Sequence, residues 1–334
     1  MDVVADYGLF LAKTATLLVA LAIALGLVAA AIARGRSGTR REYLELTRLN
    51  DHFREMSRRI EDDRTRTARL KRRALRGQRR QQRAERRREG RLPRLFVLDF
   101  HGDMRASATD SLRQEVSAII ASAHDSDEVL LRLESPGGLV HAYGLAASEL
   151  ARLRSRGIRL TVSVDRVAAS GGYLMAGVAD LIIAAPFAIV GSIGVVAQLP
   201  NFHRLLQRND IDFELHTAGE HKRTLTMFGE NTDDARNKFR DELEQIHDQF
   251  KAHLARYRPR LDIDSVATGE YWLGEQARDM GLVDDVQTSD DFLLERRERM
   301  ELVGLKWHRK DGLGRRVTLA MESLVARADQ RLGT

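Results

Sequence analysis

The chain of 334 residues contains no cysteine. This absence excludes disulfide bonds, catalysis by a thiol and zinc sites that use cysteine ligands. Lysine is also scarce in the globular part of the sequence, where the residues after position 95 include only five: Lys222, Lys238, Lys251, Lys306 and Lys310. A reaction that uses a lysine amine as its base therefore has few candidates in this part of the chain.

Charged residues are absent from 14–33, a run of 20 mostly apolar residues. This length suffices for a helix to cross the hydrocarbon core of a membrane. A cleaved signal peptide is the alternative, because "AIA" at 31–33 resembles a cleavage site. However, Asp2 and Asp6 precede the run, where a signal peptide carries basic residues. We therefore predict that residues 1–33 form an N-terminal segment with a single uncleaved anchor at about 14–33.

Positive charge is concentrated in residues 34–94, which hold 22 arginines and one lysine against nine acidic residues, a net charge of +14. Because the whole chain carries +6, the remainder carries −8. From 64 to 91 the sequence has too few apolar residues to bury a core. We interpret 34–92 as an arginine-rich spacer, helical or disordered, that binds anionic lipid headgroups beside the anchor; a solvated spacer without a ligand is the alternative. Nucleic acid is not an expected partner, since no aromatic residue is interleaved in the basic stretch.

Within this spacer, apolar residues recur at steps of three and four: Leu46, Leu49, Phe53, Met56 and Ile60. This spacing predicts one apolar stripe on a helix from about 42 to 60. A second stripe predicts that residues 291–334 form an amphipathic tail, with an apolar face made by Val317, Met321, Leu324 and Ala328.

Strand and helix patterns alternate along the globular region, which we expect to begin at residue 93. Strands are predicted at 94–100, 128–135, 158–165, 181–186 and 188–197, and helices at 110–123, 139–157 and 170–179. Asp110 is the predicted N-cap of the first helix, and "IDFELH" (211–216) is predicted to be a further strand. Short links between alternating strands and helices favour an α/β domain with a parallel sheet that is covered on both faces.

Two glycine-bearing turns, "ESPGG" (134–138) and "AASGG" (168–172), each join a predicted strand to a predicted helix. In parallel α/β folds, ligands bind at such carboxyl ends of strands. Free N–H groups at the start of a helix favour negative charge there. Ser170 in the second turn is either the N-cap of the following helix or a nucleophile.

A nucleophilic serine needs a base. Ala168 stands two residues before Ser170, so there is no "GxSxG" elbow, and no histidine lies in a motif that resembles a Ser-His-Asp set. A lysine is the other option, provided that partial desolvation keeps its amine neutral. Lys222 is the favoured lysine because it lies in a glycine-bearing segment after the predicted 211–216 strand, whereas the others lie in charged, helical or tail contexts.

Four longer motifs follow one another along the chain: "ASGGYLMAGVAD", "GSIGVVAQ", "AGEHKRTLTMFGEN" and "YWLGEQARDMGLVD". Together they resemble the SohB and signal peptide peptidase A group of membrane-bound serine peptidases, most closely its SohB members. The resemblance covers residues 93–290, and it implies a ClpP/crotonase-type α/β domain with a Ser-Lys dyad and no metal or cofactor. By motif, Ser170 is then the nucleophile, Lys222 the general base and Ser192 the residue that orients the lysine. A simple turn serine is the alternative for Ser192.

The resemblance also implies an oxyanion hole, in which the turn of Gly137 and Gly138 supplies one N–H and Gly171 supplies the second. It implies a homo-oligomer whose active sites combine the serine and the lysine of neighbouring subunits. The expected substrates are small or unfolded peptides at the bacterial inner membrane, such as remnant signal peptides and damaged proteins. The resemblance favours a periplasmic peptidase domain. The positive-inside rule favours a cytoplasmic one, because arginines follow the predicted anchor directly: Arg34, Arg36, Arg40 and Arg41.

Two other functions are compatible with parts of this pattern. A crotonase-like acyl-CoA enzyme would also use paired glycine N–H groups, but the serine and lysine motifs and the predicted anchor disfavour it. A catalytically silent scaffold would use the domain only to form oligomers, while the arginine-rich segment binds lipid or a partner.

Overall fold

The computed structural model describes residues 13–16, 18, 42–64, 92–219 and 222–309. Leu44–His308 forms one compact unit, and a second unit, made of Met1–Tyr43 and Arg309–Thr334, contains few described residues. Within the described ranges, no helix is both long enough and apolar enough to span a membrane. The predicted anchor lies almost wholly outside these ranges, as do the basic stretch from 65 to 91 and the predicted apolar stripe of the carboxyl tail.

The described residues form ten strands, with the following bounds: β1 Tyr43–Arg48, β2 Arg94–His101, β3 Glu128–Glu134, β4 Arg159–Val164, β5 Val167–Ala169, β6 Leu181–Ala184, β7 Ile189–Gly191, β8 Tyr271–Leu273, β9 Asp285–Val286 and β10 Glu301–His308. Seven of them form the central sheet in the order β1-β10-β2-β3-β4-β6-β9. Every pair from β10 to β9 is parallel. A smaller sheet has the order β5-β7-β8, in which only β7 and β8 are antiparallel. The predicted α/β fold with a mainly parallel sheet is confirmed.

The helices of the same ranges are α1 Leu49–Arg64, α2 Thr109–Ser122, α3 Val140–Ser155, α4 Gly171–Ala176, α5 His203–Arg208, α6 Asp233–Tyr257, α7 Ile263–Val266, α8 Gly274–Asp279 and α9 Ser289–Arg296. Helices α2, α3 and α4 each follow a strand, as the sequence pattern predicts. The carboxyl ends of β3 and β5 therefore lead directly into the two glycine-bearing turns.

Successive side chains of β2 point to opposite faces of the central sheet. Phe96, Leu98 and Phe100 belong to the larger core cluster, which includes residues of α2 and α3. Leu95 and Val97 belong to a smaller cluster, which includes residues of α9 and is covered by α1. Because both faces are buried, the strand is a nearly continuous apolar run in the sequence rather than an alternating one.

The helix predicted from 42 to 60 is wrong in its first part. Tyr43–Arg48 forms β1, which pairs with β10 at the edge of the sheet, and the helix begins at Leu49. Local spacing favours a helix here, but the unpaired edge of β10 offers strand hydrogen bonds that no local pattern reveals. Only part of the predicted stripe is buried, since Leu49 and Phe53 pack against the smaller cluster while Ile60 is 61% exposed.

Three shorter predictions also differ from the structure. Asp110 is not the N-cap of α2, because Ala108 holds that position and Asp110 lies in the first turn, where a carboxylate favours the helix dipole. The segment 211–216 is exposed and irregular rather than a strand. The strand predicted at 188–197 ends at Gly191, whose positive φ of 107° turns the chain.

The compact unit extends beyond both ends of the expected 93–290 domain, since β1 and β10 lie in the central sheet. Asn50 ties these two ends together. Its side-chain amide donates to the carbonyls of Arg297 (2.9 Å) and Met300 (3.2 Å), and its carbonyl accepts from Leu302 N–H (2.7 Å). The buried Asn50 thus satisfies backbone groups more than 240 residues away in the sequence.

We expect the substitution Asn50→Ala to lower the free energy of unfolding by roughly 2–4 kcal/mol, because it leaves buried backbone groups without partners. Urea denaturation of the detergent-solubilised full chain, followed by circular dichroism, measures this change. Asn237→Ala is the control, since Asn237 is exposed on α6 and bonds only to Arg240; its effect should stay within about 0.5 kcal/mol. Equal midpoints for the two variants would contradict the structural role of Asn50.

Candidate active site

Ser170 lies at the corner between β5 and α4, with backbone angles φ 51° and ψ −118°. A positive φ is uncommon for a residue with a Cβ and indicates local strain. Two backbone hydrogen bonds hold this conformation: Ser170 N–H donates to the Gly191 carbonyl (2.8 Å), and Leu174 N–H donates to the Ser170 carbonyl (2.9 Å). A serine on a strained strand-to-helix turn is also how α/β-hydrolases expose their nucleophile.

The interpretation of Ser170 as a helix cap agrees with its position but not with its hydrogen bonds. Ser170 occupies the N-cap position of α4, yet its side chain makes no capping hydrogen bond. Thr232 at the start of α6 shows the contrast, because its hydroxyl accepts from Ala235 N–H at 3.2 Å. Capping therefore does not account for the Ser170 hydroxyl.

The two glycine-bearing turns meet at the carboxyl ends of β3 and β5. Ser135 N–H donates to the Val167 carbonyl (2.8 Å), and Ala169 N–H donates to the Ser135 carbonyl (3.0 Å). Gly137 has a positive φ of 91°, and a Cβ on it would lie 2.8 Å from Gly171 N and from Ser170 Cβ. Only glycine fits this contact, so the sequence "ESPGG" allows one turn to lie directly against the other.

Two amide groups of these turns are available to a ligand. Gly137 N–H is not one of them, because it donates to the hydroxyl of Ser135 at 3.1 Å. Among the residues that the structure describes, the N–H groups of Gly138 and Gly171 have no hydrogen-bond partner. Of the three predicted oxyanion-hole glycines, Gly138 and Gly171 therefore retain free donors.

Ser170, Gly171 and Gly138 line a cleft of about 1010 Å³. Helix α6 contributes mostly polar side chains to its lining, namely Glu242, Gln245, Asp248, Gln249, His253 and Arg256. Burial lowers the pKa of His253 below its ordinary value, and its Nε2 lies 3.2 Å from the Leu174 carbonyl oxygen. The neutral imidazole of His253 is thus bonded to α4 rather than to Ser170. The cleft is large enough for a peptide segment.

Lys222 and Ser192 occupy different surroundings. Ser192 follows β7, next to the Gly191 carbonyl that holds Ser170; it has a φ of 51°, and its N–H donates to the Glu270 carbonyl at 2.6 Å. Lys222 lies in an exposed irregular segment and is not among the described residues that line the cleft. Within one subunit the structure therefore places Ser170, Gly138 and Gly171 in one cleft and Ser192 directly after the Gly191 carbonyl that holds Ser170. Neither Ser192 nor Lys222 is among the described residues that line the cleft.

Ser135 and Tyr143 are two residues for which sequence reasoning gave no role. Both are fully buried behind the glycine-bearing turns, and their hydroxyl oxygens lie 2.6 Å apart. Ser135 belongs to the "ESPGG" motif, so the sequence did indicate that it lies at the first glycine-bearing turn. Tyr143 stands on the interior face of α3, where an apolar stripe predicts a core residue and nothing more.

Comparison with known proteins agrees with these features. The chain matches the models described as "Peptidase family S49 N-terminal" over residues 2–150 and "Peptidase family S49" over residues 152–303. It is 46% identical to the "Probable protease SohB" of Haemophilus influenzae, over 93% of this chain and 91% of that protein. It is 58% identical to the "Probable protease SohB" of Buchnera aphidicola subsp. Acyrthosiphon pisum, over 64% of each chain. A more distant relative is the "Protease 4" of Haemophilus influenzae, 29% identical over 57% of this chain and 31% of that protein. The chain therefore belongs to peptidase family S49 and is a serine peptidase.

Proposed function

We propose that this S49 peptidase cleaves peptide bonds with Ser170 as the nucleophile and Lys222 as the general base, while Ser192 orients the lysine. The observation that carries the proposal is the strained Ser170 in a cleft that also contains two free backbone donors, Gly138 N–H and Gly171 N–H. The parallel sheet with paired glycine turns at its carboxyl edge supports the assignment to the ClpP/crotonase type.

The proposed mechanism needs only groups of the protein and water. As the base, the amine of Lys222 accepts the proton of the Ser170 hydroxyl while the oxygen attacks the substrate carbonyl. Gly138 N–H and Gly171 N–H stabilise the oxyanion, and the loss of one such donor costs roughly 100- to 1,000-fold in rate. The lysine returns its proton to the leaving amine, which releases the first product and leaves an ester on Ser170. Lys222 then accepts a proton from a water molecule as that water attacks the ester carbonyl. The bond to the Ser170 oxygen breaks, the lysine gives the proton back to this oxygen, and the second product leaves as a carboxylic acid.

We infer that Lys222 acts on the Ser170 of a neighbouring subunit. Lys222 is exposed and outside the cleft lining of its own chain. The segment around it has exposed apolar side chains, Phe202, Leu205, Phe213 and Phe228 among them, each between 40% and 55% exposed. Three of these form an aromatic cluster, with ring centroids 6.1 and 5.7 Å apart. An apolar patch of this kind is typical of a protein interface, and a second copy that covers it would form a homo-oligomer.

We propose that the substrates are small or unfolded peptides at the bacterial inner membrane, including remnant signal peptides and damaged proteins. The apolar run at 14–33 supports a single anchor in this membrane, and the arginines of the basic stretch suit contact with anionic lipid. We place the peptidase domain on the periplasmic side, in accordance with the resemblance and against the positive-inside rule.

Labelling of the solubilised full chain with a fluorophosphonate probe tests the dyad. We expect labelling to fall on the order of 1,000-fold in Ser170→Ala and in Lys222→Ala, because each removes one member of the catalytic pair. Ser117→Ala and Lys306→Ala are matched controls, since both residues are exposed or half-exposed and stand outside the cleft; they should label like the wild type. Equal labelling of all variants would rule out the dyad, and a folded wild type without labelling or peptidase activity would favour the silent scaffold.

Co-expression of the Ser170→Ala and Lys222→Ala chains tests the shared site. If the serine and lysine come from different subunits of a closed ring, random mixing pairs an intact serine with an intact lysine at about one junction in four. Peptidase activity should therefore return to about one quarter of the wild-type level, although each variant alone is inactive. Activity that stays at the level of the single variants would show that one subunit supplies both residues.

Trypsin treatment of spheroplasts with an intact inner membrane tests the orientation. A periplasmic domain lies on the side to which trypsin is added, so the arginine-rich full-length chain should disappear while a cytoplasmic marker protein survives. Protection of the chain until detergent is added would contradict the periplasmic placement.

A further inference from the structure

Ser135 and Tyr143 form an ordered chain of hydrogen bonds behind the glycine-bearing turns. The Tyr143 hydroxyl donates to the Asp103 backbone carbonyl at 2.8 Å, which can only accept. The Ser135 hydroxyl must therefore donate to the Tyr143 oxygen at 2.6 Å. The Ser135 oxygen in turn accepts from Gly137 N–H at 3.1 Å. Each hydroxyl proton in this series of hydrogen bonds therefore has a single acceptor, and the series fixes the orientation of the Gly137 peptide.

Tyr143 also contacts the second turn through its ring. A Cβ on Gly171 would lie 2.5 Å from Tyr143 Cγ, so the Gly171 backbone rests directly on the aromatic ring. One buried side chain thus supports both free donors: it acts on the first turn through Ser135 and on Gly171 by direct contact. Burial raises the pKa of Tyr143 above its ordinary value, so the phenol keeps its proton and remains a donor to Asp103.

The loop whose Asp103 carbonyl accepts the hydrogen bond from Tyr143 supports Gly138 as well. A Cβ on Gly138 would lie 2.3 Å from the Met104 carbonyl oxygen. The Asp103 carboxylate holds this loop, because it accepts from Arg105 N–H (3.1 Å) and Ser107 N–H (2.8 Å). Gly138 is therefore packed against this loop, while its neighbour Gly137 is packed against the Ser170 turn. A shift of either the loop or the turn would redirect the Gly138 N–H.

We propose that Ser135 and Tyr143 are positioning residues for the oxyanion hole: they occupy Gly137 N–H and aim Gly138 N–H and Gly171 N–H at the oxyanion. The inference rests on the proposed function of Ser170 and the glycine turns. Ser135 and the Tyr143 side chain are fully buried, although Tyr143 also backs the cleft; we assign both hydroxyls a role that acts through the backbone N–H groups.

A positioning role and a purely structural role differ in the kinetic constant that they change. Oxyanion donors act on the transition state, so misdirected donors lower kcat and leave KM nearly unchanged. With an internally quenched peptide as substrate, we expect Tyr143→Phe and Ser135→Ala each to lower kcat about 10- to 100-fold and to change KM less than about twofold. Because the two hydroxyls belong to one series of hydrogen bonds, the double variant should show about the same decrease in kcat as one single variant.

Tyr173→Phe is the matched control. Tyr173 is also fully buried, and its hydroxyl also donates to a backbone carbonyl, that of Leu282 at 2.8 Å, but it does not line the cleft. It should lower the thermal midpoint about as much as Tyr143→Phe does, with kcat within about twofold of the wild type.

Three results would overturn the inference: a kcat for Tyr143→Phe like that of Tyr173→Phe, a loss confined to KM, or single losses that multiply in the double variant. If Tyr143→Phe does not fold, the changes in kcat and KM of Ser135→Ala test the inference in the same way. Ser170→Ala in the same assay separates this inference from the proposed function. An active Ser170→Ala would overturn the proposed function, whereas an inactive Ser170→Ala beside a normal Tyr143→Phe would overturn the positioning role alone.

Discussion

The backbone bridge between Ser135 and Ala168 is the contact on which the site depends. It joins the ends of two strands that lie in different sheets, and it brings their following turns within van der Waals distance. At that distance no side chain fits between the turns, which explains why the chain has glycine at 137 and 172. The parallel sheet behind them, buried on both faces, provides the rigidity that such a contact requires.

Strain at the site is concentrated in two serines. Ser170 and Ser192 share a φ of 51°, and such a conformation costs on the order of 1–3 kcal/mol for each residue. The hydrogen bond from Ser170 N–H to the Gly191 carbonyl links the two strained turns. Their conformations therefore depend on each other, and the large buried core offsets the cost. Strain held in this way is typical of catalytic groups that are fixed before the substrate binds.

The sequence predicted the elements from β2 to β6 well, because their apolar runs are long and their turn residues are distinct. It failed at β1, whose partner β10 lies some 250 residues later and outside any local window. For the site, motifs singled out Ser170, Gly138 and Gly171, which the structure places in one cleft, while the catalytic roles of these residues and of Lys222 remain predictions. Neither spacing nor motif indicated Tyr143, because a buried tyrosine on a helix is common and only its hydroxyl contacts distinguish it. Tertiary pairing, not residue preference, decided each of these differences.

The placement of β1 and α1 changes the meaning of the basic stretch. The compact unit begins with β1 and α1, which ends at Arg64, and its next described strand, β2, begins at Arg94. Residues 65–91 therefore connect two elements, α1 and β2, that belong to the same compact unit. In the sequence, residues 34–42 separate the predicted anchor from β1. A change in the length of the arginine-rich segment would therefore alter a connection within the compact unit and would leave the sequence between the predicted anchor and β1 unaltered.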